Sequence, residues 1–260
     1  MALVADLRHA AGLPPGAPVS AIGQGESGDL VFRIDGDWPL VAKVVGPGEA
    51  RLAEFEREAA ALVWLHGRFG AARLVWRGEA QGRPAFVMTA IPGVALQAVP
   101  PEAAERAAVA AIERLAELHA APIAACPFDE RLAVKLANAA RRVAVGAFGA
   151  DRVEPHNVGE PPEALLAELT RSRPADEDLV VTHGDACWPN FILRPDGRVG
   201  IVDLGRMGVA DRYQDLALFV RSGRRNAPHL DVPAVIRRHY PLDGLDEAKL
   251  EFYRELDELF

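Results

Sequence analysis

His183-Gly184-Asp185, then Asn190, then Asp203-Leu204-Gly205 stand at the ends of short apolar runs in a half of the chain that otherwise reads as helix. Leu179-Val180-Val181 precedes the first group, Phe191-Ile192-Leu193 follows Asn190, and Val199-Gly200-Ile201-Val202 leads into Asp203. Runs of this length and composition predict strands, and Pro195-Asp196-Gly197 between the last two is a turn signal. Asp185 and Asn190 lie five residues apart across a loop. An aspartate after glycine is by itself a common turn former, so the constellation carries the argument. A carboxylate facing a hydroxyl can orient it and accept its proton, while an amide oxygen and a second carboxylate, both hard oxygen ligands, can hold Mg²⁺ against nucleotide phosphates. His183, Asp185 and Asp203 also fit a rival reading, as ligands of a transition metal in a hydrolase.

The first hundred residues favour the phosphate reading. Gly23-Gln24-Gly25-Glu26-Ser27-Gly28 runs straight into the strand pattern of Leu30 to Ile34, the placement of a phosphate-covering hairpin loop rather than of a dinucleotide-binding turn that opens a helix. Asp35-Gly36-Asp37 turns that strand into Pro39 to Val45, where Lys43 shares a face with Val41 and Val45. A lysine so placed lies at an edge or meets an anion. The following helical pattern, Glu49 to Gly67, offers Glu58 as its partner, with Glu54 and Glu56 as alternatives. Asp185 with Asn190 matches H-R-D-x-x-x-x-N of kinase-type phosphotransferases, Asp203-Leu204-Gly205 stands where D-F-G would, and Val41-Ala42-Lys43 resembles V-A-I-K. No A-P-E triplet follows Asp203, and the chain passes soon into another helical pattern. That leaves no peptide platform and predicts a small-molecule acceptor.

Further outward, 260 residues, half of them hydrophobic and a quarter charged, predict a folded protein with a substantial core. The fold class expected is α+β in two lobes: a β-rich lobe over 1–91 and a mostly helical lobe over 92–260, with Ile91-Pro92-Gly93 as the hinge. The Ala-rich segment Glu102 to His119 is the clearest helix, and others are expected near Phe128 to Val145, Pro162 to Arg173, Tyr213 to Ser222, Val232 to Tyr240 and Asp246 to Phe260. Pro84 to Pro101 is uncharged but carries too many prolines for a membrane helix, and Ala2 to Ala5 is too short for the apolar core of a signal peptide. A cytoplasmic protein without a membrane or obligate protein partner is expected. Cys126 and Cys187 build no disulfide framework. A net charge of −8 disfavours nucleic acid.

The sequence resembles the aminoglycoside phosphotransferases, most closely their 3′-phosphotransferase branch. The resemblance rests on Val180 to Asp185 with Asn190, on Asp203 to Ala217 and on Phe252 to Phe260, and extends more diffusely over Ser20 to Lys43 and Glu58 to Leu65. It implies a two-lobed protein-kinase-like fold that transfers the γ-phosphoryl group of ATP to the 3′-hydroxyl of an aminoglycoside antibiotic, conferring resistance. Under it Asp185 is the catalytic residue, Asn190 and Asp203 hold Mg²⁺, and Lys43, paired with Glu58, contacts the α- and β-phosphates. Gly25 and Ser27 meet phosphate from the loop, while Thr89 and Ile91 offer backbone groups to adenine. Arg206 lies beside the acceptor, and Glu154, Asp257, Glu258 and the α-carboxylate of Phe260 bind its ammonium groups. Two stretches depart from the family's acidic pattern: Gly223-Arg224-Arg225-Asn226 is cationic, and Asp151 to Asn157 holds fewer acids. They leave open a second acceptor class, another small hydroxylated metabolite such as a sugar or amino alcohol. A nucleotide-binding scaffold without turnover is disfavoured because Lys43, Asp185, Asn190 and Asp203 are all present.

Overall fold

In the computed structural model, all residues are described except 1, 14–15, 25–27, 47–48, 148–156 and 158. The chain opens with α1 (Ala2–Ala10) and β1 (Val19–Gln24), neither of which shows as a pattern in the sequence. Nine residues are too few to establish a helical period, and β1 has a glycine and small residues where a strand usually shows branched ones. Both are held by what they meet. Leu7 of α1 joins a cluster with Leu13, Ile34, Ala42, Val44, Ala80, Ala85 and Val87, and β1 pairs antiparallel with β2 (Leu30–Ile34) across an irregularity between Ala21 and Gly23.

The Asp35-Gly36-Asp37 turn carries β2 into β3 (Leu40–Val44), with Leu30 opposite Val44 and Val31 opposite Lys43. α2 (Glu49–Leu65) follows, burying Phe55, Ala59 and Leu62. Gly67, at φ 78, takes the left-handed conformation that suits glycine beyond a helix end. β4 (Leu74–Ala80) and β5 (Arg83–Thr89) complete an antiparallel sheet of order β1-β2-β3-β5-β4, which puts β3 in its centre. Phe55 of α2 meets Phe86 of β5 with ring centroids 4.7 Å apart.

The protein divides into two compact units, Met1–Gly93 with Gly200–Arg206, and Val94–Val199 with Met207–Phe260. The first break, after Gly93, lies two residues beyond the expected cut after Ile91, and a segment near residue 200 belongs to the first unit. Ile201 makes a parallel bridge with Ala71, and a Cβ at Gly200 would come within 2.8 Å of the Gly70 carbonyl oxygen and of the Ile91 side chain. A return of this kind over more than a hundred residues leaves no local pattern.

In the second unit β6 (Val94–Ala95) precedes α3 (Ala104–His119), whose alanine-rich face buries Ala107, Ala108, Ala111, Ile112, Leu115 and Leu118. α4 (Leu132–Ala144) and α5 (Pro162–Arg171) lead to β7 (Leu179–Thr182) and to β8 (Phe191–Leu193), which pairs with β6. β9 (Val199–Ile201) carries the chain into the returning segment. β10 (Gly208–Asp211) pairs antiparallel with β7, where the sequence pattern suggested direct passage into helix. α6 (Tyr213–Asn226), α7 (Val232–His239) and α8 (Glu247–Leu256) follow, and a 3₁₀ turn over Asp257–Leu259 finishes what was expected to be one helix to Phe260. Asp231 and Asp246 cap α7 and α8, accepting backbone N–H groups of Ala234 and of Ala248 and Lys249. No helix among the described residues is long and apolar enough to cross a membrane.

Candidate functional site

In the first unit the central strand of the sheet buries Lys43, and its charge is met there. Its Nζ donates to Glu58 Oε2 of α2 at 2.6 Å and to Asp203 Oδ1 at 3.1 Å. Burial alone would lower the lysine pKa, but the two carboxylates outweigh it and hold the ammonium well above its usual range. Burial pushes Glu58 up to about 7, opposed by Lys43 and reinforced by Asp203. Glu54 and Glu56, the alternative partners on this helix, pair instead with Arg206 and Arg77. Asp203 stands at φ 60, a left-handed backbone that aspartate tolerates better than most residues. Gly205 lets the same segment lie close to α2, since a Cβ there would be 3.0 Å from the Glu54 carbonyl oxygen.

In the second unit β7 delivers a tightly held loop. The His183 and Gly184 N–H groups donate to the two oxygens of Asp215, at 2.7 and 2.8 Å, and Gln214 Nε2 donates to the Gly184 carbonyl at 3.1 Å. Asp215 is fully buried at the start of α6 and also meets His119 Nε2 at 2.9 Å, while His119 Nδ1 contacts the Tyr240 hydroxyl at 2.6 Å. Burial raises the Asp215 pKa, but these partners overcome it and hold the carboxyl below its usual range. The Asp185 carbonyl accepts from Asn190 Nδ2 at 2.9 Å and from the Cys187 N–H at 2.8 Å, so Asn190 is oriented by the loop it closes. The Asp185 side chain keeps a buried Oδ1 with no hydrogen-bond partner among the described residues. A buried acceptor of that kind suits an incoming hydroxyl. His183 is fully buried, and its Nδ1 accepts the Asp185 N–H at 3.3 Å, which occupies the ring within its own loop.

The remaining expected site residues divide by environment. Thr89 ends β5 with its N–H given to the Arg73 carbonyl and its hydroxyl accepting the Arg73 N–H, whereas the Ile91 peptide makes no backbone hydrogen bond among the described residues. Arg206 lies 3.7 Å from Glu54. Asp257 and Glu258 are buried: Asp257 pairs with Arg221, and the Glu258 carboxylate oxygens accept from Asn157 Nδ2 at 3.0 and 3.2 Å. The Phe260 ring lies under Lys135 Nζ at 5.0 Å and Arg142 at 5.5 Å. Gly25, Ser27 and Glu154 lie outside the described residues.

The phosphotransferase enzyme family model matches residues 18–253. The chain belongs to this aminoglycoside phosphotransferase family. An aminoglycoside 3′-phosphotransferase of Streptomyces fradiae is 39% identical over 253 residues, covering 92% of this chain and 94% of the relative. A streptomycin 3″-kinase of Streptomyces griseus is 35% identical over 252 residues, covering 92% and 91%. The crystal structure of an aminoglycoside 3′-phosphotransferase of type VIII aligns with TM-score 0.88 and 38% identity, covering 99% of both chains. The α+β architecture is thus the protein-kinase-like fold of the family.

Within this family member the sequence reading passed over Asp215, His119 and Arg221 as working residues. A carboxylate at the head of Leu216-Ala217-Leu218-Phe219-Val220 was the available signal, because an acid on a helix with so apolar a run is buried and has to be paired. Its partners lie 96 and about thirty positions away in sequence, beyond the reach of pattern. Asn190 and Asp203 each carry a hard oxygen donor of the kind that suits Mg²⁺. Asn190 commits its Nδ2 to Asp185, leaving Oδ1 as its acceptor end, and Asp203 Oδ1 accepts from Lys43. Among the described residues no three His, Cys, Asp or Glu side chains cluster to hold a metal by themselves.

Proposed function

We propose that this protein is an aminoglycoside 3′-phosphotransferase that uses ATP and Mg²⁺ in the cytoplasm and confers resistance to its substrates. The observation that carries the reading is Lys43, an ammonium held between Glu58 and Asp203 in the centre of the sheet. A fixed lysine beside a carboxylate able to bind Mg²⁺ is the arrangement that grips nucleotide phosphates. The metal, when bound, neutralises charge that develops on the transferred phosphoryl group, and Asp203 and Asn190 are the residues that would hold it. Lys43 meets the α- and β-phosphates and is kept extended by Glu58. Gly25 and Ser27 contact phosphate, and the peptides of Thr89 and Ile91 serve adenine. In the second unit Asp185 accepts a hydrogen bond from the acceptor hydroxyl through its unpartnered oxygen and takes the proton as the phosphoryl group transfers. Asp215 keeps the loop rigid. Arg206 serves the acceptor end, and Glu154, Asp257, Glu258 and Phe260 are the groups assigned to drug ammonium. For Asp257 the ligand displaces or shares Arg221, and for Glu258 it does so with Asn157.

Turnover of ATP against kanamycin and tobramycin tests this function. Kanamycin is phosphorylated, and tobramycin, which lacks the 3′-hydroxyl, binds without modification; phosphotobramycin in a mass spectrum overturns the regiochemistry. One observation favours a second acceptor class. Arg224 and Arg225 are exposed at the end of α6, a cationic pair that attracts an anionic group and repels a polycation. Phosphorylation of sugars or amino alcohols in preference to aminoglycosides, in a panel run side by side, selects that alternative.

A further inference from the structure

The carboxylate of Asp29 has no part in the reading above, although it is only 1% exposed and stands directly before β2. It accepts the N–H of Gly46, two residues beyond the end of β3, at 2.7 Å. Gly46 is also where backbone meets backbone: a Cβ there would lie 2.8 Å from the Gly28 carbonyl oxygen and 3.2 Å from Asp29 N. Gly28 itself sits at φ 77, a conformation costly for other residues. The β2–β3 ladder ends with Leu30 opposite Val44. Beyond that rung the two strands meet through this side-chain hydrogen bond and through the close approach that an absent side chain allows at Gly46.

We infer that Asp29 and Gly46 form a latch that fixes where the chain leaves the glycine-rich stretch, making Asp29 a positioning residue for nucleotide binding. The inference rests on the reading of that stretch and of Lys43 as phosphate contacts. Lys43 lies three residues before Gly46 and opposite Val31, so latch and lysine belong to one hairpin. Closing the hairpin end sets the spacing between Gly28 and Lys43 before phosphate arrives. Freedom left there would be lost on binding and would subtract from affinity. Asp29 is also near enough to raise the Glu58 carboxyl, so its charge is the competing explanation. Asparagine separates the two, because it keeps an acceptor oxygen and drops the charge.

The test measures KM for ATP, KM for kanamycin, kcat and melting temperature for the wild type, Asp29→Ala, Gly46→Ala and Asp29→Asn. Asp29→Ala, which strands the Gly46 N–H, and Gly46→Ala, which drives Gly28 away, raise the ATP KM about tenfold. Their kanamycin KM and their kcat at saturating ATP stay within about twofold of wild type, as do all constants of Asp29→Asn. An unchanged ATP KM in either folded alanine variant overturns the latch. So does equal damage in Asp29→Asn and Asp29→Ala, which would make charge the cause. If neither alanine variant folds, Asp29→Asn decides: a wild-type ATP KM supports the latch and a raised one overturns it. Wild-type protein that neither turns over ATP nor gains melting temperature from it refutes the nucleotide reading itself, a result distinct from failure of the latch.

Discussion

Glu58 is the residue at which burial and charge pairing oppose one another most directly. Its carboxyl, raised to about 7 by desolvation against the pull of Lys43, makes stability depend on pH near neutrality. A group whose pKa is raised in the folded state contributes stability that is fully present below its ordinary value and lost as pH rises through the folded one. The wild type therefore loses melting temperature relative to Glu58→Gln between pH 5 and pH 8. Parallel melting curves for the two proteins across that range would contradict the assignment. At Asp185 the expected effect is kinetic. Asp185→Asn keeps the size of the side chain and lowers kcat by ~10²–10⁴-fold, while the ATP KM changes by no more than a few fold, because positioned proton acceptance is lost and phosphate contacts are not. Steady-state kinetics with kanamycin decide it, and near-normal turnover removes Asp185 from the chemistry.

The start of α6 shows how an element positions chemistry from outside it. Asp215 satisfies two consecutive N–H groups of the β7 loop and one nitrogen of His119 at the end of α3, so a helix, a loop and a second helix share one buried carboxylate. Replacement by alanine leaves those donors without their acceptor and costs about 3–5 kcal/mol, read by denaturant unfolding at pH 7. Because the Asp215 pKa is depressed in the folded state, its contribution is present above the ordinary carboxylate range and lost as pH falls through the lower folded value. The gap between wild type and Asp215→Ala should therefore narrow in acid, and a gap that stays constant down to pH 3 would show that His119 and the loop do not stabilise the charged form. The same element ends in Arg224 and Arg225, one helix carrying a buried acid at its head and an exposed cationic pair at its tail.

For the whole molecule, a net charge of −8 draws a polycation while that exposed pair opposes it locally. Replacing Arg224 and Arg225 with glutamate lowers the kanamycin KM by about tenfold at low salt, and the advantage shrinks at 0.5 M salt as screening shortens to a few ångströms, ~3–5 Å. A KM indifferent to both changes places the pair away from the acceptor. Much of this molecule is readable without coordinates. Alternation and turn residues declare the β2–β3 hairpin, alanine spacing declares α3, and the five-residue step from Asp185 to Asn190 declares the loop, because each is set by covalent neighbours and by the fixed periods of strand and helix. Lys43 in an apolar strand also announced that it either lay at an edge or met an anion. Which anion was another matter: Glu54, Glu56 and Glu58 stand two residues apart on α2, and only the rotation of that helix against the sheet turned Glu58 inward and left the other two to Arg206 and Arg77. The return of Gly200–Arg206 to the first unit, the β7–β10 pairing, the burial of Asp257 against Arg221 and the Asp215 clamp belong to the same class. Each joins groups tens to more than a hundred positions apart, whose meeting depends on the packing of several elements at once, and no period along the chain encodes such a distance.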